Sequence, residues 1–188
     1  ESDFELAELL STVAETQPLD AATLPAWRAA LAEIGSDFEH RRVLDSLLGR
    51  RDASPAMVVI ALEAAAGIGS DFELRQVLET AAPKIRGDAA ATAAWFRAAA
   101  EIGSDFERRS ALSTVIDAGP VDIAFADQVL LSVGGMGSDF EIREVLVTLA
   151  EQMPDDAGLR ERFRAQAREL GDYERGQAEK ALDRFAGL

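Results

Sequence analysis

One histidine, no cysteine and four regularly spaced Asp/Arg pairs are the residues from which this chain could build chemistry. A transition-metal site draws on imidazoles and thiolates, and here a single imidazole could recruit only carboxylates. His40 occupies a position otherwise filled by Leu6, Leu74, Arg108 and Ile142, and it reads as a partly exposed structural residue. One histidine cannot furnish His-Glu-x-x-His, and no Ser-His-Asp set is evident around it. The Gly134-Gly135-Met136-Gly137 run falls at a helix end and does not match a phosphate loop; Gly134 and Gly135 have no periodic explanation and would loosen that helix. Carboxylates for acid–base work are plentiful, but nothing singles out two of them. The sequence therefore predicts no catalytic, cofactor or metal site.

The Asp/Arg pairs are Asp37 with Arg41, Asp71 with Arg75, Asp105 with Arg109, and Asp139 with Arg143. Each is spaced i,i+4, which on a helix contributes a few tenths of a kcal/mol. Because the pair recurs at a fixed distance, it could instead link successive units as a ladder, and a carboxylate row holding a cation is the alternative. Arg41-Arg42, Arg50-Arg51 and the set Arg160, Arg162, Arg164 and Arg168 are candidate anion contacts or a solvated face. Trp27 and Trp95, at helical spacing, read as core rather than as ligand contacts.

The 188 residues include 34 Asp and Glu against 19 Lys and Arg, a net charge of −15. A surface this negative repels the phosphate backbone, so nucleic acid is not an expected partner. The longest apolar stretch, Ala56 to Gly69, is fourteen residues long and includes Glu63, too short and too charged to insert in a membrane. Glu1 to Gln17 is acidic and lacks the basic start of a signal peptide. The compartment stays open, because a chain without cysteine suits reducing and oxidising surroundings alike.

The elements that must position these residues follow from a repeat. Ser-Asp-Phe-Glu occurs at Ser2, Ser36, Ser70, Ser104 and Ser138, each 34 residues after the last, and Gly171-Asp172-Tyr173-Glu174 is a degenerate sixth copy. Ser at an N-cap with Glu three residues later is the capping box, in which the Ser side chain accepts from the third amide and the Glu reaches back to the Ser amide. The pattern assigns it to Ser36 and Glu39, Ser70 and Glu73, Ser104 and Glu107, and Ser138 and Glu141. The intervening Asp suits the positive end of the helix dipole. Gly35 and its equivalents are expected at C′, ending the preceding helix in a tight Gly-Ser turn. A second set of N-cap residues, Asp20, Ser54, Asp88, Asp122 and Asp156, opens the other helix of each unit. Loop breakers precede it at Pro18, Pro83, Gly87, Gly119, Pro120 and Pro154.

Each unit thus reads as helix A, a loop and helix B, with both helices about 13 residues long. Helix A is apolar at Leu9, Val43, Val77, Ala111 and Val145, at Leu10 and its equivalents, and at Val13, Leu47, Ala81, Val115 and Leu149. With the motif Phe lying off that stripe, the buried face is wider than a lone hairpin needs. Helix B repeats Trp27, Ala61, Trp95, Val129 and Phe163. The expected fold is all-α: a right-handed αα superhelix of about 5.5 repeats and about 11 helices. It forms one domain over 1–188, with repeats 2–35, 36–69, 70–103, 104–137 and 138–171 and a capping half repeat 172–188. In that half repeat Glu179 stands where the other helices have Leu, as a polar terminal cap should. The chain start, with Phe4, Leu6, Leu9 and Leu10 ready to pack, suggests that the natural array, or another domain, continues upstream.

The repeat length matches a tetratricopeptide (TPR) repeat, although the Trp-x-x-Leu-Gly-x-x-Tyr pattern is missing, and the periodic Asp and Arg resemble HEAT-type repeats. More narrowly, Gly-Ser-Asp-Phe-Glu-x-x-Arg-x-x-Leu resembles the Ser-Asp-Phe/Tyr-Glu repeats that trail some bacterial membrane metallopeptidases related to beta-lactam sensors. That resemblance covers essentially the whole chain and implies a bacterial accessory region, cytoplasmic or extracytoplasmic. It carries no peptidase residue across.

The leading expectation is a non-enzymatic scaffold that binds a protein or peptide, with basic partners favoured by the charge. The alternatives are a structural or sensory accessory region of a larger bacterial membrane-associated protein, an engineered repeat, against which the divergent B helices argue, and an enzyme, the least supported.

Overall fold

The computed structural model describes residues 2–17, 19–20 and 22–185. The expected breaker Pro18, the first residue Glu1 and residues 186–188 of the half repeat lie outside the described residues. Those described form eleven α-helices and no strand: α1 (Asp3–Thr16), α2 (Leu24–Leu31), α3 (Asp37–Leu48), α4 (Pro55–Ala65), α5 (Asp71–Ala81), α6 (Ala89–Ala100), α7 (Asp105–Asp117), α8 (Ile123–Val133), α9 (Asp139–Ala150), α10 (Ala157–Arg168) and α11 (Asp172–Phe185). The protein is all-helical, and none of these helices is long and apolar enough to cross a membrane.

Two compact units divide the chain, residues 1–102 with α1 to α6 and residues 103–188 with α7 to α11. In the first, α3 packs against α1 and α5, and α4 against α6; α3 and α4 also touch, as do α5 and α6. In the second, α9 packs against α7 and α11, and α10 against α8 and α11. Each unit is therefore a stack of A helices lying on a stack of B helices.

The inward residues of the A helices explain the stacking. Val43, Leu44, Leu47, Val77, Leu78 and Ala81 are fully buried in the first unit, and Ala111, Leu112, Val115, Val145, Leu146 and Leu149 in the second. Burying each of the larger of these side chains is worth roughly 1.5–3 kcal/mol, more than any capping interaction. Trp27 and Trp95 are buried too, and their indole N–H groups donate to the carbonyls of Leu10 (3.3 Å) and Leu78 (2.9 Å). Each indole thus ties a B helix to the A helix seventeen residues before it.

Several sequence expectations need correction. The turns between helices B and A are longer than Gly-Ser: α2, α4, α8 and α10 end before Ala32, Ala66, Gly134 and Glu169, and tight backbone bonds such as Ile34 N–H to the Leu31 carbonyl wind the chain onward. The motif glycines are not left-handed C′ residues, since Gly87 (φ 80°) is the one described glycine with positive φ. Helix α2 starts at Leu24, not after Asp20; the Asp20 carboxylate instead accepts from the amides of Ala22 and Thr23 in an Asx turn, which delays the helix. The motif phenylalanines do not widen the buried face: Phe4, Phe38, Phe72, Phe106 and Phe140 are all about half exposed. Leu9 is 60% exposed, because α1 has an A-helix neighbour on one side only.

Candidate functional site

The Ser-Asp-Phe-Glu motif does more than start helices. Ser36, Ser70, Ser104 and Ser138 each accept from the amide three residues on, of Glu39, Glu73, Glu107 and Glu141, at 3.4 Å. The reciprocal bond, from the Ser amide to the Glu carboxylate, forms at Ser2 with Glu5. At Ser36 and Ser138 another acceptor takes that amide. The Ser36 N–H donates to Asp3 (2.8 Å) and the Ser138 N–H to Asp105 (2.7 Å), the motif aspartates of the preceding repeats. Amides of the turn glycines join them, Gly69 to Asp37 (3.0 Å), Gly137 to Asp105 (3.0 Å) and Gly171 to Asp139 (2.9 Å). Each of these aspartates therefore caps the next repeat's turn.

This handover releases the motif glutamates and redirects the arginines. Arg41 does not pair with Asp37; it reaches Asp45 (2.7 Å) on its own helix and Glu73 of the next repeat. Arg109 bonds Glu141 of the next repeat (2.7 Å) rather than Asp105. Arg143 turns to its neighbour Glu144 and Arg75 to Glu79 (2.6 Å). The ladder thus runs from Arg to the next Glu, while Asp serves backbone amides. The physical reason is reach: a short Asp side chain at the first helical position meets the adjacent turn, and the long Arg one turn later spans to the neighbouring helix.

Arg42, Arg50 and the arginines of α10 are likewise engaged internally. Arg42 bonds Glu8 and Glu39, and Arg50 bonds Asp52 (2.8 Å) and the carbonyls of Ala14 and Gln17. Arg160 pairs with Asp155, Arg162 with Asp127, Arg164 with Asp183 and Arg168 with Glu161.

A repeated surface feature remains. In the first unit, Phe4, Phe38 and Phe72 stand about half exposed near the starts of the adjacent helices α1, α3 and α5. Guanidinium groups lie over these rings: Arg42 over Phe4 (5.5 Å to the ring centre), Arg41 over Phe38 (5.0 Å) and Arg75 over Phe72 (5.0 Å). The second unit repeats it with Arg109 over Phe106 (4.8 Å) and Arg143 over Phe140 (4.6 Å), and Tyr173 continues the set on α11. The carboxylate bonds fix the guanidinium, the guanidinium covers one part of the ring, and the rest of the ring faces solvent. Such a surface can stack on an apolar or aromatic side chain.

His40 departs from expectation in the other direction. It is 5% exposed, not partly exposed, and burial pushes its pKa below the ordinary histidine value, with the Asp37 charge opposing the shift. Room for it comes from Gly67: a Cβ there would stand 3.1 Å from His40 Cε1. Gly135 does the same for Arg108 at the equivalent position, where an added Cβ would meet Nη1 at 3.1 Å and the guanidinium donates to the Gly135 carbonyl. Where that position holds Leu6, Leu74 or Ile142, the partner residue is Glu33, Glu101 or Glu169. This pairing at a spacing of 27 explains Gly135, which the repeat alone did not, and Gly134 caps α8 without kinking it.

Another periodic set closes the core: Ile34, Ile68, Ile102, Met136 and Leu170, each just before a motif glycine and each buried. Their spacing of 34 was available as a signal, but they lie outside the helical stripes.

The chain matches no protein-family model, and no curated protein or solved structure matches it. The geometry alone must carry a functional reading. Among the described residues, no three His, Cys, Asp or Glu side chains gather to hold a metal ion.

Proposed function

We propose that this chain is a non-enzymatic scaffold of HEAT-like or TPR-like helical repeats that binds a protein or peptide through the exposed aromatic edges of its A helices. The observation that carries the reading is the recurrence of a half-exposed Phe under a fixed guanidinium on successive A helices. Packing does not require these rings to be aromatic, because the core beneath is closed by the Val and Leu rows. The net charge of −15 favours a partner with basic residues flanking its apolar contacts, and salt should weaken such binding.

Peptide phage display against the immobilised chain, followed by titration of an enriched peptide, tests this. The expected result is a peptide whose affinity falls roughly tenfold or more in a Phe38→Ser/Phe72→Ser variant that keeps its helical content, and falls again at high salt. Absence of enrichment, or binding indifferent to both changes, overturns the proposal.

A second reading, a structural or sensory accessory region of a larger bacterial membrane-associated protein, draws support from Leu9. Its counterparts Val43, Val77, Ala111 and Val145 are fully buried, whereas Leu9 is an exposed apolar residue on α1. A natural reading frame that places a membrane segment beside these repeats supports it, and one without such a segment removes it.

A further inference from the structure

The exposed rings of the first unit form a row with a fixed step. Phe4, Phe38 and Phe72 are each the second residue of their helix, and α3 packs between α1 and α5. Equivalent positions on packed helices stand one interaxial distance apart, about 8–10 Å. Arginines join ring to ring along the row: Arg42 of α3 lies over Phe4 of α1, and Arg41, over Phe38, bonds Glu73 beside Phe72.

That step selects the conformation of a peptide lying along the row. An extended strand returns a side chain to the same face every ~6.6 Å, so it misses the middle ring. Two turns of an α-helix cover about 10.8 Å and overshoot. A polyproline II helix has three residues per turn and rises about 3.1 Å per residue, so every third side chain returns to the rings after ~9 Å. Its backbone is ordered before it binds, and proline packs well on aromatic surfaces. Charge sets the ends of such a peptide. The first helical turns surround the rings with Asp3, Glu5, Asp37, Glu39, Asp71 and Glu73, against the guanidinium groups of Arg41, Arg42 and Arg75. Resting on the binding role given above, we propose that the partner is a proline-rich segment in the polyproline II conformation, with proline at every third residue over the rings and Arg or Lys at its ends. The second unit presents a row of the same kind, Phe106, Phe140 and Tyr173, at the starts of α7, α9 and α11.

The probe is a fluorescein-labelled peptide, Arg-Arg-Pro-Ala-Ala-Pro-Ala-Ala-Pro-Arg-Arg, titrated with the full chain and followed by fluorescence anisotropy. Saturable binding is expected, and it should weaken roughly tenfold when the same residues are reordered to put proline at every second position. Exchanging the terminal arginines for glutamates should weaken it by about as much. Phe38→Ser/Phe140→Ser removes the middle ring of both rows and should weaken binding roughly tenfold or more while the helical circular dichroism is kept; should that variant not fold, the two peptide comparisons on the native chain still decide. No saturable binding, or equal affinity for the reordered or the glutamate-ended peptide, overturns the proposal. If the original and reordered peptides bind equally and both are lost in Phe38→Ser/Phe140→Ser, the aromatic docking surface stands and the polyproline assignment falls.

Discussion

Replacing Asp105 by Ala tests the handover between repeats at the point where one carboxylate serves two amides. In the native chain Asp105 accepts from Gly137 at 3.0 Å and Ser138 at 2.7 Å. Hydrogen bonds to a charged group contribute about 1.5–3 kcal/mol each, but the Gly137 amide lies on an exposed turn, so about 2–3 kcal/mol for both is the starting figure. Part of it should return. Ser2 shows that a motif Ser amide lacking a preceding Asp is taken by its own Glu, and Glu141 can leave Arg109 to do the same for Ser138. A capping bond of about 1 kcal/mol then reduces the loss in Asp105→Ala to about 1–2 kcal/mol. In Asp105→Ala/Glu141→Ala no recapture is possible, so the double variant should lose about 1 kcal/mol more than the two single variants together. Both tryptophans belong to residues 1–102, so their fluorescence does not read this unit directly. The suitable assay is urea denaturation followed by circular dichroism, with hydrogen exchange at Gly137 and Ser138. If Asp105→Ala costs less than about 0.5 kcal/mol and leaves both exchange rates unchanged, the carboxylate is not holding the turn and the reasoning fails.

Three further outcomes follow from the geometry. Gly67→Ala should cost about 1–2 kcal/mol because its methyl meets a buried ring, whereas Gly135→Ala meets the mobile end of Arg108 and should cost clearly less; thermal melts of the pair compare them. His40 has a folded pKa below its unfolded value, so the unfolded chain binds its proton first and the contribution of His40 to stability falls as pH drops below about 6.5. Stability curves from pH 7 to pH 5 should show a slope that His40→Leu reduces, while an unchanged slope refutes the burial argument. Phe38→Ala removes a half-exposed ring and should cost only about 1 kcal/mol in a denaturant titration, against 3 kcal/mol or more for the fully buried Phe163→Ala.

What could be read from the sequence was what repeats locally. Ser36 with the Glu39 amide lies within one helical turn, and the Val43 and Leu44 rows follow helical spacing, so both were visible. Asp37 and Arg41 read either as an i,i+4 pair or as rungs from the Asp of one repeat to the Arg of the next, while their actual partners, the Gly69 amide and Glu73, are 32 residues away and of other types. The motif Phe reads as core by type, and only the stacked helices reveal that it sits at the edge of the buried face. His40 was misjudged because its burial depends on Gly67, 27 residues on, where a missing side chain leaves no trace in a hydrophobic pattern.

The capping by Asp has a direction. The starts of α3 and α9 are completed by carboxylates from the repeats before them, never from those after. Cutting away a leading repeat strands amides in the one that follows and forces its Glu to choose between the helix end and the Arg of the ladder. Cutting away a trailing repeat uncovers apolar surface just as cutting a leading one does, but on the capping side it only leaves an Asp facing water. Erosion of the array from its two ends is therefore unequal, and shortened chains should tolerate losses from the back better than from the front.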